Sequence, residues 1–209
     1  MSGSEVGYDV RRMYDVTAFI LAGGQSSRMG SEKAFLELQG RLLIDHMIGI
    51  AKSVSEQVRI VGPKQKFSAF GQIALDVYKD RGPLGGIHAA LAISPSEYNL
   101  MLAIDMPFVA PRFLEYLLKQ ARKREELLVT VPRVDGGYQP LCACYRKGFE
   151  TVADRALAAG QNKVDALFQP AITRVIDDAE FATLGLPTTM FRNLNTKEEY
   201  ARAKGAEAR

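Results

Sequence analysis

Short apolar runs rich in β-branched residues alternate along this chain with stretches whose apolar positions recur every three or four residues. The runs are TAFILA at 17–22, VRIVG at 58–62, IALDVY at 73–78, NLMLAI at 99–104, LLVTVP at 127–132 and LCACYR at 141–146. Runs of this length bounded by turn residues predict strands, and strands separated by helices predict βαβ units in a mostly parallel sheet. Between the first two runs, Ile44, Met47, Ile48, Ala51 and Val54 share one face of a predicted helix. GGIHAALAIS after Pro83 and PRFLEYLLKQARKREE after Val109 predict two more. Pro111 sits in the first turn of the latter, where a missing N–H costs nothing, and Leu114, Leu117, Leu118 and Ala121 form its core stripe. GFETVADRALAAG, NKVDALF and the closing NTKEEYARAKG, capped by Asn195 or Thr196, complete the predicted helices. The expectation is a flexible N-terminal extension over 1–13 and a single domain over 14–209, a three-layer α/β/α Rossmann-like fold with a mostly parallel sheet.

NLMLAI is apolar at every position except Asn99, which predicts a central strand buried on both faces. Asp105 follows it directly, and Pro107 ends the strand, so DMP is a turn that presents a carboxylate beyond the strand's carboxyl end. In open α/β sheets ligands bind along that edge. The first strand delivers the segment Ala22 to Gly30 to the same edge. Gly23 and Gly24 allow a sharp turn and a close approach of backbone to ligand, with free N–H groups to cradle phosphate oxygens. Arg28 offers a forked donor and Lys33 a compact positive charge, a combination suited to a polyphosphate. The loop is neither a G-x-x-x-x-G-K-[ST] loop, since Gly30 is followed by Ser-Glu-Lys, nor G-x-G-x-x-G. Taken alone, the glycine pair is equally compatible with a tight βα turn flanked by solvated cations.

Composition narrows the picture. The 209 residues are 47% hydrophobic, enough for an ordinary core, and the 27 basic and 24 acidic residues are spread along the chain for a net charge of +3. Neither a nucleic-acid surface nor a membrane span is indicated, because no apolar segment approaches the roughly 20 residues a span requires. The N-terminal MSGSEVGYDVRRMYD has charges where a secretory leader needs its apolar core, so a cytoplasmic location is expected. Cys142 and Cys144 share a strand face in poor disulfide geometry and read as small buried residues. His46 and His88 have no companion at ligand spacing and read as packed or surface histidines.

The spacing of the loop carries further information. LAGGQSSRMGSEK resembles the L-A-G-G-x-S-x-R-M-G-x-D-K signature of the MobA-like nucleotidyltransferases, with Glu32 where that family commonly has Asp. DRGPLGGIHAAL (80–91), AIDMPFV (103–109), GYQPLCACYRK and FRNLNTKEEY (191–200) resemble later segments of the same family in order and separation, so the resemblance runs from about Ala18 to Ala203. It implies a nucleotide-diphospho-sugar transferase-like fold and transfer of GMP from GTP, with Mg²⁺ as cofactor, to the terminal phosphate of Mo-molybdopterin. Catalytic roles fall on Lys33, Arg28 and Asp105, with Lys33 beside the α-phosphate and Asp105 as the Mg²⁺ ligand; the competing role for Asp105 is a turn or cap aspartate. Leu21, Ala22, Gly23, Gly24 and Ser26 are expected along the nucleotide, Asp80 at the ribose or base, and Gly82, Pro83, Leu84 and Gly85 as a wall against the purine. GPLGG is also compatible with a tight turn into a helix, with Gly86 at a packing contact. Asn193 and Asn195, two apart on a late strand, are expected to reach metal or acceptor phosphate, with a helix cap the other role open to Asn195. Gln139 and Pro140 are expected to border the pterin.

Two departures from the family pattern stand out. Val61 and Gly62 occupy the place after the second strand where many relatives carry asparagine, and the segment between Asp80 and Gly82 is short. A monomer is expected, with a molybdopterin-delivering or molybdoenzyme-maturation protein as a further expected partner, although the sequence itself gives no oligomeric state. Two other readings remain at this stage: a cytidylyl- or sugar-phosphate nucleotidyltransferase of the same architecture, and a GTP-binding regulatory or chaperone-like protein without turnover.

Overall fold

The computed structural model describes residues 15–23, 33–75, 81–194 and 199–200. The expected extension over 1–13, together with Gly24, Ser26, Arg28, Asp80, Asn195 and Thr196, lies outside the described residues.

The apolar runs become strands β1 (Val16–Leu21), β4 (Gln57–Val61), β6 (Tyr98–Ala103), β7 (Val129–Val134) and β9 (Cys142–Arg146), with short strands β2 (Glu37–Leu38), β3 (Arg41–Leu42), β5 (Gln72–Ala74), β8 (Gly137–Tyr138) and β10 (Thr173–Ile176). Eight of them form one sheet in the order β10-β7-β9-β6-β1-β4-β5, with β8 paired to β7. β1 pairs in parallel with β4 and β6, β4 with β5 and β10 with β7, whereas β9 runs antiparallel to both β6 and β7. β1 and β6 hold the centre and are buried along almost their whole length, as their near-continuous apolar sequences require.

Helices α1 (Leu43–Lys52), α2 (Lys64–Phe67), α4 (Pro111–Ala121) and α6 (Asp178–Leu184) supply the core on one face of the sheet, where Ile20, Leu100 and Leu102 meet Ile44, Met47, Phe113, Leu114, Leu117 and Phe181. Helices α3 (Gly82–Ile93) and α5 (Phe149–Ala158) supply the other, where Phe19, Met101, Ala143 and Tyr145 meet Leu84, Ile87, Phe149 and Leu157. Of the first predicted stripe, Ile44, Met47 and Ala51 of α1 are buried and Ile48 is half-buried, while Val54 is buried in the turn beyond the helix end; Leu114, Leu117, Leu118 and Ala121 of α4 are buried. Cys142 and Cys144 share one face as expected, both buried as free thiols, and burial pushes both thiols up from their ordinary range.

Several expectations need correction. Of the third run the described residues place Gln72–Ala74 in a strand and leave Leu75 exposed, and its remainder, 76–78, lies outside the described residues. NKVDALF forms a single 3₁₀ turn, Asp165–Leu167, too short and too exposed to pay for a full helix. β10 and α6 were not read from the sequence. β10 is polar at two of four positions, which hides its period, but α6 carried a legible signal: Asp177 caps it by accepting the Glu180 N–H, and Gly185 closes it in the left-handed region at φ 61°. Residues 192–194 are extended without joining a strand, although the Leu194 N–H donates to the Asp105 carbonyl at 2.9 Å.

α3 lies against the sheet through Gly86. A Cβ at that position would come within 3.0 Å of Leu21 Cδ2 and 3.8 Å of Val61 Cγ1. Gly86→Val is therefore expected to push α3 away from β1 and lower stability by about 1–3 kcal/mol, read as a fall in the urea midpoint at unchanged slope. A midpoint equal to that of the parent would show that the contact can relax.

Candidate active site

The register of the two central strands builds the site. Leu21 pairs with Ala103, and the Ile104 N–H donates to the Leu21 carbonyl at 3.2 Å, so both strands end together. Beyond β1 the chain runs through Ala22, whose N–H donates to the Val61 carbonyl at 2.9 Å, to Gly23. Beyond β6 it turns, with the Met106 N–H donating to the Ala103 carbonyl at 3.3 Å. Asp105 therefore stands at the carboxyl edge of the sheet, held on one side by the β1–β6 ladder and on the other by Leu194. It does not cap α4, whose N-cap is Ala110 with no side-chain hydrogen bond.

Lys33 re-enters the described chain opposite this carboxylate. Its Nζ lies 3.8 Å from Asp105 Oδ2, and both side chains are largely buried, 11% and 21% exposed. Burial of Lys33 differs from the exposed loop position its sequence context suggests. The Ala34 carbonyl accepts the Ile44 N–H, and Ala34 packs into the core, so the stem beside Lys33 is fixed to α1. Burial pushes the Asp105 carboxyl above its ordinary range, and the Lys33 ammonium offsets part of that rise. The pairing of a loop lysine with a strand-end carboxylate 72 positions later was not legible in sequence, since no local pattern links the two.

The other predicted residues divide by what faces the edge. Gly23 lies 3.5 Å, measured from a built Cβ, from Gly62 Cα, so the ends of β1 and β4 touch through two glycines. Phe67 fills the space next to Gly62: a Cβ there would meet its ring at 3.1 Å. The Phe67 ring thus closes over the end of β4 where Gly62 offers no side chain. Gly82, in the left-handed region at φ 62°, and Pro83 are exposed at the start of α3, whereas Leu84 is fully buried and Gly85 is buried with it. Leu84 turns its side chain into the core, and the side chain of Leu21, 6% exposed, does the same. Only the backbones of these two residues can meet a ligand. Asn193 is half-buried, and its Oδ1 is shielded from solvent with no hydrogen-bond partner among the described residues. Gln139 N–H donates to the Pro132 carbonyl, and Pro140 O accepts the Tyr145 hydroxyl, which fixes this turn at the same edge.

His46 and His88 stay outside the site: His46 Nε2 is 2.7 Å from the Leu38 carbonyl, and His88 is buried with Nε2 3.5 Å from Asp154 Oδ1. Among the described residues no three His, Cys, Asp or Glu side chains gather as a metal cluster. The donors present are one carboxylate and, one residue from the backbone contact to it, an unsatisfied amide oxygen. That set fits a hard divalent cation completed by water and substrate phosphate, and does not fit zinc. Among the described residues no helix is long and apolar enough to cross a membrane.

Residues 18–175 match the MobA-like NTP transferase domain. The chain is 34% identical over 194 residues to a molybdenum cofactor guanylyltransferase of Desulfosudis oleivorans, covering 91% of this chain and 95% of the relative. Among solved structures it resembles molybdopterin-guanine dinucleotide biosynthesis protein A from Archaeoglobus fulgidus, with a TM-score of 0.76, 28% identity and coverage of 91% of this chain and 97% of that one. A 4-diphosphocytidyl-2C-methyl-D-erythritol synthase from Anaerococcus prevotii shares the fold at a TM-score of 0.68 and 15% identity, covering 94% and 97%. With Lys33 and the strand-end Asp105 paired at one sheet edge, and the domain match spanning most of its length, the chain belongs to the MobA-like NTP transferase family.

Proposed function

We propose that this protein is a molybdenum cofactor guanylyltransferase acting in the cytoplasm as a monomeric single domain: it moves GMP from GTP to the terminal phosphate of Mo-molybdopterin and releases pyrophosphate. The observation that carries the reading is the buried Lys33–Asp105 pair at the carboxyl edge of β1 and β6. Nucleotidyl transfer needs positioning and charge neutralisation more than a covalent catalyst, and the described edge offers a cation, a carboxylate and backbone amides.

Lys33 stabilises negative charge on the α-phosphate as the acceptor oxygen attacks and pyrophosphate leaves, and Asp105 orients the Lys33 ammonium until substrate arrives. Asp105, with Asn193 in support, would hold Mg²⁺, which supplies Lewis-acid neutralisation of the phosphates when bound. Gly23 lets the backbone approach the nucleotide; Gly24, Ser26 and Arg28 extend the phosphate cradle, and Asp80 contacts the ribose or base. The backbone from Gly82 to Gly85 walls the purine. Asn195 serves the acceptor phosphate.

Three outcomes test this reading. Pyrophosphate release with Mg²⁺ and Mo-molybdopterin is expected with GTP and not with CTP, ATP or UTP. Release with CTP alone would overturn the base assignment and leave the loop and metal assignments standing; silence with all four would favour another acceptor or a regulatory role.

Lys33→Met, which keeps most of the buried stem, is expected to lower kcat by about 10²–10³-fold. Its thermal unfolding midpoint should fall at neutral pH, where Asp105 loses its compensating charge, and recover on acidification; an unchanged kcat would remove Lys33 from the mechanism.

The raised Asp105 pKa has two consequences of opposite kind. The acid limb of kcat/KM should lie above the range of an ordinary carboxylate, because protonation cancels the charge that Asp105 offers a cation. For folding, a carboxyl pKa raised in the folded state favours the fold fully below the unfolded value, and that contribution is lost as pH rises through the folded value. Asp105→Asn should therefore be inactive yet more stable than the parent at neutral pH, the gap closing on acidification. Thermal unfolding of both proteins across that range checks it, and a stability gap that does not change with pH would contradict the assignment.

A further inference from the structure

A second cluster stands at the same edge and has no part in the steps above. β9 is antiparallel to both β6 and β7, so β7 runs in the direction of β6, and Arg133 and the β7–β8 turn emerge at the edge where Asp105 stands. That turn is rigidly built. Asp135 and Gly136 both take positive φ, 50° and 78°, as a two-residue hairpin of this hand demands, and Asp178 Oδ2 accepts the Asp135 N–H at 3.2 Å. On the return strand Tyr138 meets Phe168 edge-to-face, with ring centroids 5.2 Å apart and planes at 80°. The Arg133 guanidinium lies 5.9 Å from the Tyr138 ring, at the outer limit of a cation–π contact. Arg133 is exposed and makes no ion pair among the described residues; Tyr138 and Phe168 are half-buried.

We infer that Arg133, Tyr138 and Phe168 form the platform that takes the planar heteroaromatic ring system of the acceptor. The inference rests on the acceptor proposed above and adds where its ring binds. Two substrates must converge on one phosphorus atom from different directions. Gly23, which abuts Gly62 at the end of β4, and the start of α3 give the nucleotide the β1–β4 half of the edge, so the acceptor is left the half formed by β9 and β7. The platform is within reach of the chemistry. Leu141, three residues after Tyr138, accepts the Ala103 N–H at 2.7 Å, and Ala103 lies two residues before Asp105. At about 3.5 Å per residue the backbone path is at most on the order of 20 Å. A half-buried tyrosine held edge-on by a second ring supplies a fixed aromatic surface for a flat ligand, and the spare guanidinium offers forked donors to ring carbonyl and nitrogen acceptors.

The test compares Tyr138→Ala, Tyr138→Phe and Arg133→Ala with the parent in two assays. In steady-state transfer, Tyr138→Ala should raise KM for the acceptor roughly tenfold or more, with KM for GTP unmoved and Tyr138→Phe recovering most of the loss. In the second assay a simple oxidised pterin is titrated with each protein without GTP. The parent and Tyr138→Phe should quench its fluorescence, and Tyr138→Ala and Arg133→Ala should quench it weakly. An acceptor KM unchanged in both alanine variants, or a rise shared equally by GTP, would overturn the platform while leaving the transfer reaction intact. If no nucleotide supports transfer, the proposed function fails and the titration alone decides: quenching lost in Tyr138→Ala upholds a pterin platform, and quenching absent in the parent or equal in all four proteins removes it.

Discussion

The register between β1 and β6 is the constraint from which the active edge follows. Leu21 pairs with Ala103, so the chain leaves the sheet toward Gly23 beside the point where it leaves toward Asp105. Because side chains alternate faces, a slip of one residue would carry Phe19, Ile20, Met101 and Leu102 to the wrong layers and take Asp105 out of line with the loop. Both layers enforce the register. Ile20, Leu100 and Leu102 are locked against α1 and α4, and Phe19 and Met101 against α3 and α5. The position of one carboxylate is therefore secured by cores on both sides of the sheet.

Burial then sets the chemistry of that carboxylate. An aspartate withdrawn from water is disfavoured in its charged form, and Lys33 at 3.8 Å compensates in part. A polyphosphate can recruit the ammonium and a cation the carboxylate, each gaining a partner in a setting of low dielectric where charge interactions are strong. The unsatisfied Asn193 oxygen beside the Asp105 backbone contact fits the same arrangement, since a buried acceptor without a donor is costly unless a ligand completes it.

Packing also ties the end of β4 to the segment that carries Lys33. Gly62 abuts Gly23 on one side and the Phe67 ring on the other, and a side chain at 62 would crowd that ring at 3.1 Å. Phe67 stacks on Phe35, with centroids 5.6 Å apart at 16°, and Phe35 lies two residues from Lys33. The end of β4 thereby forms part of the support for the lysine segment.

Much of this was written into the sequence. Continuous apolar runs with β-branched residues specify buried strands whatever their neighbours, and Asp105 and the glycine pair are read as edge residues because each directly follows such a run. α1 and α4 announce themselves through their apolar stripes. What the chain could not reveal alone was everything set by non-local contact: that β9 runs against its neighbours, that Lys33 is buried and faces Asp105, that Leu84 turns inward while only its backbone reaches the edge, and that Tyr138 finds Phe168. Strand direction, ion pairing and aromatic contact arise between segments dozens of residues apart. Local periodicity measures which face of an element is apolar, and only the assembled layers decide what that face meets.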